Sequence, residues 1–169
     1  IMQGDLLLVM AALWAASFLA ALFEPSGKLA RLGIVLGCCA GIAACLASLV
    51  GTPIPVLSLG YSLSDTAVRF HLDTGGCWLL LLGLLPALFA SGLGSTASSS
   101  RTRRYWLAGL AITLLGTVGV FGMQDALSFL IAWEVMSVGG AVMILGEGIS
   151  QDSGSPALVM LARLEVGAV

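Results

Sequence analysis

The chain has 169 residues, 59% of them hydrophobic and only 9% charged, with a formal net charge of −2. An ordinary soluble domain carries about 25% charged residues, so this composition excludes a water-soluble globular protein and points to the lipid bilayer. No basic run suggests a nucleic-acid partner, and the small net charge says little about other partners because most charges fall between apolar runs.

The first apolar run, Gly4 to Phe23, is long enough to span as a helix, which takes about 20 apolar residues. No basic region precedes it and it is too long for a signal-peptide core, so it is read as a span. Trp14 and Phe18 lie four apart on one face, as lipid-facing or packing material. Glu24-Pro25-Ser26-Gly27-Lys28 ends the run. Leu29 to Val50 is the second span, with Gly33, Gly37 and Gly41 recurring every fourth residue. That stripe of small residues predicts close approach of a neighbouring helix. Cys38, Cys39, Cys45 and Cys77 form no CxxC pair and read as small buried hydrophobes, and neither a metal nor a cofactor site is expected. The single histidine, His71, reads as a surface residue, and this chain alone cannot build a bis-histidine haem.

From Thr52 to Asp73 the pattern changes to strict alternation. Leu57, Leu59, Tyr61 and Leu63 alternate with serines and a glycine, and beyond Asp65-Thr66 come Val68, Phe70 and Leu72 against Arg69, His71 and Asp73. Period two on both sides of a short turn predicts a β-hairpin outside the membrane. Thr74 to Leu93 is the third span, with Pro86 expected to kink it. A Gly/Ser/Thr loop and Arg101-Thr102-Arg103-Arg104 lead to the fourth span, Tyr105 to Met123, opened by interfacial Tyr105 and Trp106. Thr113 and Thr117 within it are candidates for lining a wet path. Gln124 to Gly146 is the fifth span. Ser155-Pro156 reads as a cap and first-turn proline opening a sixth, unfinished at Val169. The expectation is therefore an all-α polytopic bundle, five full spans and the start of a sixth, forming one membrane domain over 1–169 that is the N-terminal part of a larger subunit. Lys28, Arg31, Arg101, Arg103 and Arg104 fall on one side and Arg69 on the other, which predicts basic loops in the cytoplasm and the N-terminus and hairpin outside.

Glu134 dominates the candidate chemistry. It is the lone ionisable residue within the fifth span, roughly 15 Å along the helix from Asp125 and so near the midplane. A charge there costs roughly 2.5–3.5 kcal/mol on insertion scales, and the default reading is a proton or ion site. Ser137, at i+3, offers a hydroxyl that can hydrogen-bond the carboxyl. In the sixth span Arg163 and Glu165 are two apart, cannot face each other, and each needs a partner elsewhere; Glu134 is a candidate for Arg163, and the bland alternative is that Arg163 snorkels to the interface. Asp125 is expected to cap its helix, and Asp73 sits at a membrane edge. No hydrolase elbow, zinc-protease, phosphate-loop or dinucleotide motif is present, so no catalytic residue is assigned.

The segment Asp125-Ala126-Leu127-Ser128-Phe129-Leu130-Ile131-Ala132-Trp133-Glu134-Val135-Met136-Ser137 resembles the fifth-helix motif of the antiporter-like, proton-translocating membrane subunits. These occur in respiratory complex I, Mrp-type cation/proton antiporters and group 4 membrane hydrogenases of the formate hydrogenlyase type. Phe70-His71-Leu72-Asp73 is similar to that family's entry to its third helix, and the hairpin also fits. Ser137 and the glycines after it lean towards the hydrogenase branch. The resemblance covers the chain in outline, and its specific part is Trp133-Glu134. It implies that Glu134 is the proton-carrying glutamate that couples to a lysine on a broken seventh helix, with Arg163 at one position of a charged pair on the sixth. On this resemblance the seventh helix would lie beyond Val169. The implied function is a proton-translocating subunit of an energy-converting oxidoreductase complex in the cell inner membrane, of hydrogenase or NADH-quinone oxidoreductase type, with other membrane subunits as partners. The alternatives are a cation/proton antiporter subunit, or a structural subunit with Glu134 in a fixed ion pair.

Overall fold

The computed structural model describes residues 3–51, 54–63, 66–93, 99–146, 159, 162 and 163. Five long helices form in order: α1 (Gln3–Phe23), α2 (Lys28–Leu49), α3 (Thr74–Leu93), α4 (Ser100–Gly122) and α5 (Ala126–Gly146). Between α2 and α3 stands an antiparallel hairpin, β1 (Leu57–Leu63) and β2 (Thr66–Phe70). All five helices are long and apolar enough to cross a membrane, which makes this a multi-pass membrane protein. The anticipated bundle and its hairpin are both present. The sixth span lies outside the described residues except for Val159, Ala162 and Arg163, all helical.

The glycine stripe of α2 does what its spacing predicts. Gly33, Gly37 and Gly41 face Ser17, Trp14 and Met10 of α1, and a methyl group at any of the three would run into those side chains. Trp14 is completely buried in the resulting seam, and its indole N–H donates to the Ile34 carbonyl at 3.3 Å. The core continues through Cys38, Cys45, Cys77, Leu80, Leu84 and Leu107, so three of the four cysteines are buried apolar filler; Cys39 lies on the exposed side of α2.

The turn between α1 and α2 is tied by Glu24. Its carboxylate accepts from the Ser26 hydroxyl and, at 2.9 Å, from the Leu29 backbone N–H. Gly27 then adopts φ 67°, and a side chain there would also meet Leu107, 2.8 Å from the Cβ position. The Ser26 hydroxyl first, then the Leu29 amide, hold the Glu24 carboxyl below its ordinary value of 4.5. A lowered pKa in the folded state favours folding above the ordinary value, and the benefit fades as pH falls through the folded-state value. Wild type is therefore expected to exceed Glu24→Gln in stability at neutral pH. The gap should close below about pH 4.5 in a pH series of unfolding curves.

The fourth helix begins earlier than its apolar run suggests. Ser99 caps it, accepting from the Thr102 N–H at 3.1 Å, so Arg101, Arg103 and Arg104 belong to the first turns of α4 and not to a loop. Two of them clamp the other end of the bundle. Arg104 donates to the Ala21 carbonyl at 3.0 Å and to the Leu22 carbonyl, and Arg103 donates to Ser26 O at 3.2 Å. These carbonyls end α1 or lie just beyond it, where acceptors lack helical partners.

The hairpin closes the opposite end. Val68, Phe70 and Leu72 are buried and Arg69 and Asp73 exposed, as alternation requires. Phe70 bridges Met123, His71 N–H donates to Gly122 O at 2.8 Å, and Gln124 N–H donates to Arg69 O at 3.1 Å. The Gln124 side chain adds a bond to His71 O at 3.1 Å. His71 is thus half-buried at a junction between β2 and the α4–α5 corner, not a surface residue. Asp73 caps α3 by accepting from Gly76 N–H at 2.6 Å, and Asp125 caps α5 by accepting from Ser128 N–H at 2.8 Å.

Candidate functional site

The helix that carries Glu134 rests chiefly on α4. The contact runs along a seam of glycines spaced seven apart: Gly109 and Gly116 on α4, Gly139 and Gly146 on α5. A Cβ at Gly109 would lie 2.7 Å from Gly139 O, and one at Gly139 would lie 2.8 Å from Gly109 O. Backbone therefore meets backbone, the closest packing that helices in lipid achieve. Sequence reading missed this seam, although the paired sevenfold spacings mark it.

Packing this seam against α4 turns the rest of α5 outward. Ser128, Ala132, Ser137, Gly139, Ala141 and Gly146 are buried, whereas Leu127, Leu130, Ile131, Val135 and Val138 are exposed. Glu134 belongs to the exposed set. It is mid-helix, as counting residues predicts, but it does not face the interior of this bundle. Among the described residues no hydrogen bond or ion pair holds its carboxylate.

Ser137 does not serve the carboxyl: it is buried on the α4 side, and its hydroxyl donates to Trp133 O at 3.0 Å. Thr113 and Thr117 donate back to Gly109 O and Thr113 O at 2.8 and 2.7 Å, so both hydroxyl protons are used within α4. Arg163 is helical and exposed, and Glu165 lies outside the described residues.

Two buried polar atoms of α5 lack partners among the described residues. The Trp133 ring lies tilted at 37° to that of Phe129, with centroids 6.1 Å apart, and its buried indole nitrogen has no hydrogen-bond partner among the described residues. The Ser128 hydroxyl is likewise buried and unpaired among them, in a recess of about 210 Å³ between Gly116 and Gly119 of α4 and Ile131 and Val135 of α5. Buried polar atoms without partners are uncommon and call for an explanation. Both atoms belong to α5, the helix that carries Glu134, but Glu134 does not line the recess that holds Ser128. The chain matches no known family model, no curated protein and no solved structure.

Proposed function

We propose that the chain is a proton-translocating membrane subunit of an energy-converting oxidoreductase complex, and that Glu134 is its proton-carrying group. The observation that carries this reading is a mid-span carboxylate on the face of α5 that α4 leaves uncovered. Left against lipid it would cost roughly 2.5–3.5 kcal/mol. A further helix bearing a basic or polar group would remove that cost and give the proton somewhere to go. Arg163 is one such group in this chain. The resemblance of Asp125–Ser137 to the antiporter-like fifth helix supports the same role, and implies a lysine on a later helix as the working partner. Redox chemistry belongs to other subunits. On this reading the basic end of the bundle faces the cytoplasm and the hairpin faces out, in a cell inner membrane.

The test is Glu134→Gln in the complex purified with its partner subunits and placed in proteoliposomes. Proton uptake per electron transferred is expected to fall at least tenfold while assembly persists. Unchanged proton movement would leave Glu134 as half of a fixed ion pair and the subunit as structural.

A further inference from the structure

Lys28, Arg31, Arg101, Arg103 and Arg104 gather at one end of the bundle, brought together by the clamp of Arg103 and Arg104 on the end of α1 and its turn. The same place holds the N-termini of α2 and α4, neither of which has an acidic residue in its first turn. Helix N-termini favour negative charge, so opening both on cations concentrates positive potential instead of neutralising it. Among the described residues Glu24 is the acid of this end, and its carboxylate is taken up by Ser26 and Leu29.

Two recesses lie within this field. One, of about 380 Å³, has an apolar wall of Ala21, Leu22 and Ala108 and a polar rim of Arg101, Arg104 and Tyr105. The other, of about 220 Å³, is rimmed by Lys28, Arg31 and Arg103 above Leu107. Neither has an acidic lining residue. Arg104 spends two donors on backbone carbonyls of the five that a guanidinium carries. Tyr105 is partly exposed beneath Arg101, whose guanidinium sits 5.7 Å from its ring centroid. An apolar wall that continues down a membrane-spanning helix, under a rim of arginines, has the shape of one molecule: an amphiphile with a phosphate head.

We propose that this end of the bundle binds an anionic phospholipid of the surrounding bilayer, its phosphate at Arg101 and Arg104 and an acyl chain along Leu22 and Ala108. Lys28, Arg31 and Arg103 strengthen the attraction from the neighbouring recess. The site is independent of the role given to Glu134, since it draws on no residue of α5.

The purified chain in mixed micelles, titrated with dioleoyl phosphatidylglycerol or dioleoyl phosphatidylcholine and read by native mass spectrometry, tests this. The anionic lipid is expected to be retained preferentially, and the preference to weaken as salt is raised. Juxtamembrane cations contribute about fivefold each, so Arg31→Gln with Arg101→Gln should weaken retention about 25-fold, whereas Arg69→Gln at the hairpin end should change nothing. Both test arginines are exposed, and Arg103 and Arg104, which hold the fold, stay in place. Equal retention of the two lipids, or equal loss with Arg69→Gln, would overturn the proposal. Displacement of the lipid by millimolar inorganic phosphate would assign a free-anion site and overturn it as well. The salt dependence of the unmodified chain carries the test if a variant fails to fold; no dependence counts against the site.

Discussion

Gly139→Ala is expected to destabilise the protein, and Gly83→Ala to leave it unchanged or slightly firmer. Both glycines sit inside long helices, so helix propensity favours alanine at each by up to about 1 kcal/mol. The difference lies in what the new methyl meets. Around Gly83 there is nothing within 4 Å. At Gly139 the methyl would lie 2.6 Å from Thr113 N and 2.8 Å from Gly109 O, both backbone atoms that cannot swing aside. Only separation of α4 from α5 relieves the clash, and overpacking of that kind costs about 1–3 kcal/mol, enough to reverse the propensity gain. Gly116→Ala, pressing on the backbone of Met136, should behave like Gly139→Ala. Because one separation of the helices accommodates both methyls, the double variant should cost less than the sum. Denaturant or steric-trap unfolding of the four variants decides the matter. A Gly83 variant as damaged as the Gly139 variant would mean that the seam is not where α5 is held.

That contrast shows what the sequence could and could not reveal. The limits of α1 and α3 are legible because each apolar run stops at Pro, Gly or Asp, residues that interrupt or cap a helix for local reasons. The hairpin is legible because alternation is itself local. The start of α4 is less so: Arg101 to Arg104 looks like a loop by charge, and it takes the Ser99 cap to draw it into the helix. The α4–α5 seam needs Gly109 and Gly139, 30 residues apart in sequence, to be recognised as facing each other. Glu134 lies between these cases. Its depth follows from counting residues at about 1.5 Å each. Its direction does not, because α5 is apolar on all sides and no polar stripe marks a face. What turns the carboxylate outward is the demand of Gly139 and Gly146 to lie on α4.

The outward placement leads to an expected split between stability and function. Replacing Glu134 by Leu should make the chain on its own more stable in the membrane. A charged group at the centre of a span costs roughly 2.5–3.5 kcal/mol, whereas leucine is favourable by about 0.3–0.6 kcal/mol. Leu130, Ile131 and Val138 already surround the position, so the new side chain would join an apolar strip without crowding α4. Insertion efficiency or unfolding of the isolated chain should therefore favour Glu134→Leu by about 3–4 kcal/mol, with Glu134→Gln between it and wild type. In the assembled complex the order should reverse: proton movement should be lost with Leu, which can neither carry a proton nor meet a polar partner. Residues that break a local rule at a cost are where function is expected to sit. If Glu134→Leu instead destabilises the isolated chain, the carboxylate already has a partner within it. If the Leu variant pumps normally, no proton passes through this residue, and the role proposed for α5 fails with it.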